Sequence, residues 1–307
     1  MTTIQYQIIV MFAIMAVGYL CGKTKIITKD VNRGLSSLSL YVVNPLVTFC
    51  SYQREYTREI AENLGGSFLV AVAAFAVQIV LSLVFLRRKN AESSIERLSV
   101  MLSNCSYIGI PLVQSVYGGE GVIYLTAYVT VFHLVTWTYG VYLMSGETSI
   151  KKAARNFVSP VIIAVAAGLV CFFGKITIPD IVFQPMSQLG DMNTPLAMLI
   201  AGSTLAATNI KSALKKVRVY YITLLKLIVI PLCVLFAVFK VTSLGITPMS
   251  VYVVLIAASC PTATIVTMFS HRYDRNSVYA SELFAVCTLA SVISLPFVLW
   301  VASLLLV

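Results

Sequence analysis

The sequence predicts an all-α polytopic membrane protein with ten transmembrane helices arranged as two inverted five-helix repeats. Of the 307 residues, 59% are hydrophobic and only 11% are charged, against about 25% charged residues in an average soluble domain. The mean hydropathy is +0.90, and the basic residues cluster between long apolar runs. These observations exclude a water-soluble enzyme, a disordered chain and a fibrous repeat. Since each crossing needs about 20 apolar residues, the bundle leaves no room for a second, soluble domain.

Apolar runs bounded by charged or turn residues predict the individual helices. The connections between them are short, so one compact bundle is expected. The predicted spans are approximately 4–22, 34–52, 64–86, 96–117, 121–144, 157–174, 182–206, 219–240, 250–270 and 278–306.

The net charge of +10 is explained by orientation in a membrane. Loops on one side of the predicted bundle carry 17 basic residues and those on the other side carry four. The positive-inside rule places the first set in the cytoplasm, so both termini are expected on the other side of the membrane. The compact form of the chain favours a bacterial inner membrane. Because the charge is split among short loops, a nucleic-acid partner is not expected. The basic residues on the cytoplasmic side are Lys23, Lys25, Lys29, Arg33, Arg87, Arg88, Lys89, Arg97, Lys151, Lys152, Arg155, Lys211, Lys215, Lys216, Arg218, Arg272 and Arg275.

Two halves of five helices predict an internal repeat, 1–146 and 147–307, whose second copy is inverted because five is odd. Helix two contains Asn44 and Pro45, and helix seven contains Asn193 and Pro195 at the corresponding place. Helices four and nine carry the polar, proline-broken strings SNCSYIGIPL and ASCPTATIVT. Inverted repeats with discontinuous helices at matching positions are typical of secondary transporters.

The breaks in helices four and nine are the best candidates for a binding site. Pro111 lacks an N–H, so helix four should kink or unwind near Ser106 to Gly109. Pro261 should do the same to helix nine near Ala258 to Cys260. Half-helix N-termini that face each other offer N–H donors and positive dipole ends, which suit an anion. The plain alternative is that each proline only kinks its helix.

Four further polar groups lie inside the predicted spans. Lys226 in helix eight could hold the substrate charge, replace an ion, tie helices together or extend to the interface. Asp191 is predicted to be the deepest carboxylate. It could pair with Lys226, bind a cation, carry a proton or cap a helix break. His133 is either a packed core histidine or a pH-sensitive substrate contact. Gln78 is expected to form a hydrogen bond between helices.

Four segments resemble the auxin efflux carrier family, in its compact bacterial branch of malate- or malonate-type permeases. They are 103–121, 190–206, 224–232 and 255–281. The resemblance implies a fold similar to bile-acid/sodium symporters and sodium/proton antiporters. Helices 1, 2, 6 and 7 would form a scaffold that dimerises, and helices 3–5 and 8–10 would form a moving transport domain in which helices four and nine cross.

The resemblance also implies that a substrate carboxylate is held at the break of helix four. Asn104 or the Cys105–Ser106 step is the best match for that role, with Pro111 as the break and His133 at a suitable depth. The residues predicted to contact substrate are Asn104, Cys105, Ser106, Gly109, Pro111, His133, Ser259, Cys260, Pro261 and Thr262.

The sequence therefore predicts a secondary transporter of small organic carboxylates that works by an elevator-type movement. A sodium- or proton-coupled cation exchanger is the first alternative, and a non-transporting membrane ligand sensor is the second. No GxSxG, HExxH, Walker or Rossmann string occurs, so an enzyme is not expected. The seven cysteines show no paired spacing, so neither a metal site nor a cofactor is expected. The expected partners are the carboxylate, the bilayer and a second copy of the chain, and coupling to Na⁺ or H⁺ stays open.

Overall fold

The computed structural model of the protein describes residues 3–87, 92–146, 160–239 and 246–305. Within these ranges the secondary structure is helical, apart from one isolated bridge between two extended residues. Six of the basic residues discussed above lie outside the described ranges, and these are Arg88, Lys89, Lys151, Lys152, Arg155 and Lys240.

The described residues of the first half of the chain form five helices. Thr28 and Thr57 cap α2 and α3, because the side chain of each accepts a hydrogen bond from a backbone N–H in the first turn. The helices are α1 (Thr3–Lys23), α2 (Lys29–Ser51), α3 (Arg58–Phe85), α4 (Ser93–Met101) and α5 (Cys105–Ser145).

The described residues of the second half form eight helices, since predicted spans seven and nine are each divided in two and a short helix of four residues follows span seven. They are α6 (Pro160–Gly174), α7 (Asp180–Asp191), α8 (Asn193–Ala207), α9 (Ile210–Ala213), α10 (Val217–Phe239), α11 (Pro248–Ser259), α12 (Thr264–Arg272) and α13 (Ser277–Leu305).

Apolar helices confirm an integral membrane protein. Five helices of the described chain, α2, α3, α5, α10 and α13, are long and apolar enough to cross a bilayer. Three shorter apolar helices accompany them, namely α6, α11 and Ile9–Lys23 within α1. Large apolar side chains on outer faces, such as Leu69 and Ile293, are exposed as a lipid-facing surface requires. Helix is present in each of the ten predicted spans, whereas ten crossings and two inverted repeats stay predictions.

Helix α5 contains the second part of predicted span 96–117 and all of span 121–144, joined by a sharp reversal at Gly118. Gly118 has φ 64° and ψ −160°, a conformation that glycine adopts without steric cost. A Cβ added to Gly121 would lie 2.9 Å from Val113 Cγ1. In a straight helix these two residues would be about 12 Å apart along the axis. The chain therefore folds back on itself at Gly118, as the sequence predicted for the connection of helices four and five.

A π-helical turn precedes a proline in three of the helices. A proline ring clashes with the carbonyl four residues earlier, and that carbonyl lies inside the π-helical turn in each case. The wider turn therefore accommodates the proline without ending the helix. These turns are Ser39–Val43, Cys105–Gly109 and Leu225–Val229, followed two residues later by Pro45, Pro111 and Pro231.

The predicted position of the break in helix four is wrong. Residues Ser106 to Gly109 belong to the π-helical turn, and the helix is interrupted earlier, at residues 102–104. In helix nine the interruption is residues 260–263, slightly after the predicted Ala258 to Cys260. Cys260 is extended because the proline that follows it disfavours helical backbone at the preceding residue.

Helices α1 and α8 pack closely through glycine. A Cβ on Gly18 would lie 2.6 Å from the carbonyl oxygen of Leu199. The absence of a side chain thus lets the two backbones meet, as in other membrane helix pairs. This contact joins spans one and seven, two of the four spans expected to form the scaffold.

Candidate functional site

The two helix breaks pair with each other, and we call this place the crossing (residues 102–104 and 260–263). Asn104 N donates to Pro261 O at 2.7 Å, and Ala263 N donates to Leu102 O at 2.9 Å. Ser103 and Thr262 form the antiparallel bridge between the two segments. Backbone groups freed inside a membrane protein need partners. Each break therefore supplies the hydrogen bonds that the other has lost.

Hydroxyl groups complete the crossing. Ser103 Oγ donates to Ala258 O at 3.0 Å, and Thr262 Oγ1 donates to Ser99 O at 3.0 Å. Both carbonyls lie in the last turn of a half-helix, where C=O groups lack intrahelical partners. The C-terminal, negative ends of α4 and α11 thus meet at the crossing, and the N-termini of α5 and α12 start from it.

Lys226 brings a fully buried ammonium group to this point. It lies in the π-helical turn of α10, and its Nζ donates to Ser103 Oγ at 2.6 Å. Within the described ranges no carboxylate lies at ion-pair distance from it. The groups around it include the thiols of Cys105, Cys260 and Cys287. A cation therefore sits beside two negative helix ends without an acidic partner.

A chain of hydrogen bonds extends from Ser103 to α3. The hydroxyl groups of Ser103 and Tyr128 are 3.3 Å apart, and Gln78 Nε2 donates to the Tyr128 oxygen at 3.1 Å. Gln78 and Tyr128 are fully buried. Gln78 thus forms a hydrogen bond between α3 and α5 and reaches the crossing through Tyr128.

Three buried asparagines carry amide atoms without a protein partner. Asn193 Nδ2 donates to Ser106 O at 3.3 Å, which ties the start of α8 to the crossing. Its Oδ1, the Oδ1 of Asn44 and the Nδ2 of Asn104 have no partner among the described residues. Unpaired polar atoms are costly in a protein interior. These three side chains are therefore available to a ligand.

The remaining predicted contact residues differ in their relation to the crossing. An added Cβ on Gly109 would lie 3.5 Å from Cys260 Sγ, so glycine allows the two broken helices to approach closely. Ser259 and Cys260 direct their side chains to carbonyls of their own helix. His133 is buried with both ring nitrogens unpartnered, about 7.5 Å along α5 from Tyr128. Its role as a substrate contact stays a prediction.

The expectation that Asp191 is the deepest carboxylate is wrong, and among the described residues one of its four open roles, pairing with Lys226, is not observed. Asp191 is exposed at the end of α7 and lines a cavity between α2, α5 and α7. The side chains of Glu96 and Glu282 are only 1% exposed. Those two carboxylates are more deeply buried than that of Asp191, because each is covered by a cation. Lys216, just before α10, covers Glu282, and Arg218, in the first turn of α10, covers Glu96.

These residues form what we call the ion-pair cluster (Glu96, Lys216, Arg218, Tyr279 and Glu282). Arg218 binds Glu96 with two hydrogen bonds of 2.8 and 2.6 Å, and Tyr279 OH donates to Glu96 at 3.1 Å. Lys216 Nζ lies 2.6 Å from Glu282 Oε2. The cluster joins α4, α10 and α13. Sequence inspection did not single out Glu96, although it lies three residues before Ser99 and hence on the same face of α4.

Comparison with known proteins supports a transport function. The family model described as "Membrane transport protein" matches residues 3–158 and 145–299. The chain is 22% identical over 305 aligned residues to the uncharacterized transporter YfdV of Escherichia coli K12, with 95% of each chain covered. The YfdV proteins of Escherichia coli O157:H7 and Shigella flexneri match with the same identity and coverage.

Proposed function

The chain belongs to the membrane transport protein family, and from this premise we propose that it is a secondary transporter of small organic carboxylates. The single observation that carries the choice of substrate is Lys226. It is a buried ammonium at the paired helix breaks with a hydroxyl, and no described carboxylate, as its partner. Such a charge is costly in a membrane protein, and an anion that binds nearby would compensate it.

The substrate carboxylate binds on the side of the crossing where α5 begins. Asn104 has a free, buried Nδ2 at this place, and Asn193 and Asn44 have free Oδ1 atoms that suit hydroxyl or amino groups of a substrate. The first turns of α5 and α12 add backbone N–H groups and positive dipole ends. Lys226 raises the positive potential from the opposite side of Ser103.

The proposed transport movement is based on the division of the helices into two groups. The crossing, α3 and the ion-pair cluster belong to spans 3–5 and 8–10, while Asn44 and Asn193 belong to spans 2 and 7. Sliding of the first group against the second would expose the site alternately on the two sides of the membrane, as in an elevator. The scaffold spans 1, 2, 6 and 7 would form a homodimer in the bacterial inner membrane, with both termini outside the cytoplasm.

A thermal-shift experiment on the detergent-purified chain tests the proposal. Mono- and dicarboxylates are added with and without sodium, because a ligand that binds only the folded state raises the melting temperature by mass action. A dose-dependent shift with a carboxylate is expected. A shift with sodium or with pH alone, and none with any carboxylate, would instead support a cation exchanger.

Two asparagine variants connect binding to the site. Asn104→Ala removes an amide nitrogen without a protein partner, so the melting temperature should stay unchanged while the ligand-induced shift disappears. Asn32→Ala is the matched control, since Asn32 Nδ2 donates to Thr204 Oγ1 at 3.0 Å between α2 and α8. It should lower the melting temperature and keep the shift. Equal shifts in the wild type and Asn104→Ala would overturn the assignment of the site.

A further inference from the structure

A small cavity lies between two groups of helices that are expected to move against each other. Its volume is about 120 Å³. The end of α2 and the last turns of α7 form one wall, and α5 forms the other on both sides of the Gly118 reversal. Its polar lining consists of Cys50, Ser51, Gln114, Ser187 and Asp191.

Asp191 determines the charge of this cavity. Among the described residues that line it, Asp191 is the one carboxylate, and no lysine or arginine lines it. Within the described ranges Asp191 forms no ion pair. One cation approaches the rim, where Arg54 Nη2 lies 3.7 Å from the position of a Cβ on Gly119. Arg54 is exposed and, unlike Asp191, does not belong to the cavity lining.

Asp191, in the cavity lining, lies close to residues that contact the segment after the crossing. It precedes Asn193 by two residues, so their Cα atoms are at most about 7 Å apart, and Asn193 Nδ2 donates to the carbonyl of Ser106, two residues after Asn104. In the same wall, Val47 lies one turn beyond Asn44, and its Cα is 3.2 Å from a Cβ placed on Gly190. A ligand of a few carbon atoms held at the crossing thus extends toward Asp191.

We propose that Asp191 is a specificity-determining residue that excludes a second negative charge. The site then has a positive end at Lys226 and a negative end at Asp191. It selects a carboxylate whose far end is neutral or, best, carries an ammonium group, and it rejects dicarboxylates. This inference rests on the proposed carboxylate transport and narrows its substrate class, because juxtaposed like charges discriminate strongly between ligands.

Three ligands of equal chain length test the selectivity. Butyrate, 4-aminobutyrate and succinate have four carbons and differ in the charge at one end. In thermal-shift titrations the wild type should bind succinate at least tenfold more weakly than butyrate. Asp191→Asn should tighten the binding of succinate at least tenfold and weaken the binding of 4-aminobutyrate several-fold. The affinity for butyrate should change less than twofold. Asp180→Asn is the control, because Asp180 is an exposed aspartate in the first turn of the same helix, and it should change none of the three.

Modification of Cys50 tests the charge of the cavity without any substrate. Cys50 lines the cavity beside Asp191, and the other partly buried cysteines, Cys21, Cys171 and Cys233, are replaced by serine. Rates for a cationic and an anionic methanethiosulfonate reagent are measured and normalised to a free thiol. The cationic reagent should react at least tenfold faster, and Asp191→Asn should bring the ratio close to one.

The two measurements separate the possible failures. The inference is overturned if succinate binds the wild type as tightly as butyrate, or if Asp191→Asn leaves the labelling ratio unchanged. If the labelling ratio depends on Asp191 but none of the three ligands shifts the melting temperature, the proposed carboxylate binding fails while the negative cavity stands.

Discussion

The crossing and the ion-pair cluster both bury charged groups, but they treat those groups differently. In the cluster, Glu96 accepts two hydrogen bonds from Arg218 and one from Tyr279. Glu282 pairs with Lys216 at 2.6 Å. At the crossing, Lys226 has a serine hydroxyl and no described carboxylate. Removing one member of a buried ion pair costs about 3–5 kcal/mol of stability. A lone buried ammonium lowers stability, so it persists where it serves binding. The comparison favours a role of the cluster in folding and supports the proposed role of the crossing in transport.

Replacing the two lysines by methionine gives the largest expected difference. Lys226→Met should reduce transport by about 100-fold, since a charge-assisted hydrogen bond contributes about 1.5–3 kcal/mol. Its melting temperature should stay the same or rise, because a methionine fits an apolar interior without desolvation of a charge. Lys216→Met should lower the melting temperature and keep transport, because it leaves Glu282 buried without this cation. The loss should be smaller than for a fully buried pair, since the Lys216 side chain is 43% exposed. Uptake into proteoliposomes measures the transport of both variants, and melting curves measure their stability. A Lys226→Met protein that is less stable than the wild type but fully active would contradict the comparison.

Glu96→Gln sharpens the comparison from the side of the cluster. Arg218 and Tyr279 would lose a charged acceptor, and the free energy of unfolding should fall by about 2 kcal/mol, less than for a fully buried pair since the Arg218 side chain is 31% exposed. Denaturant titration in detergent measures this value. Transport per folded molecule should change less than twofold. A tenfold loss of transport with unchanged stability would show that the cluster takes part in function.

Ser103→Ala removes the hydroxyl that connects Lys226, Tyr128 and the carbonyl of Ala258. Transport should fall by about tenfold, and stability by about 1 kcal/mol, because Lys226 loses its acceptor. Ser99→Ala is the matched control one turn earlier, since Ser99 Oγ is buried without a partner among the described residues. Measured uptake should be the same in Ser99→Ala as in the wild type. Equal uptake by both variants would contradict a role for the Ser103 hydroxyl.

Tyr279→Phe is the smallest expected change. It removes the 3.1 Å hydrogen bond to Glu96 and leaves the Arg218 contacts in place. The free energy of unfolding should fall by about 1 kcal/mol, and transport should be unchanged. Denaturant titrations of Tyr279→Phe and Glu96→Gln, compared with each other, measure how much of the stability supplied by the cluster comes from the tyrosine hydrogen bond. A loss as large as that of Glu96→Gln would mean that the arginine adds nothing.

Helix positions could be predicted from the sequence with small errors. The span 278–306 corresponds to Ser277–Leu305, and 64–86 corresponds to Arg58–Phe85. The prolines of helices four and nine were also visible as interruptions, and the predicted boundary between the spans 96–117 and 121–144 contains the reversal at Gly118. The position of the break in helix four was wrong, because the clash of Pro111 is absorbed by a π-helical turn, and the extended segment is stabilised by a partner strand about 160 residues later in the chain.

The candidate site was predicted only in part. Asn104, Thr262 and Lys226 were identified because polar residues in apolar helices stand out by composition. Ser103 and Tyr128 were missed, since serine and tyrosine are common in membrane helices and nothing local distinguishes these two. The burial of Asp191 was overestimated, because position along a helix does not state which face a side chain occupies or what lies opposite.

The sequence by itself determined that this protein lies in a membrane, where its helices begin and end, and which helices are interrupted. These properties follow from apolar length, charge between the helices, proline and glycine, all of which act within a few residues. Only the tertiary structure decided which charges have partners. Lys226 meets Ser103 from 123 positions away, and Glu96 meets Arg218 from 122 positions away. Pairing over such separations depends on how helices pack, so a buried charge with a partner and one without look alike until the chain is folded.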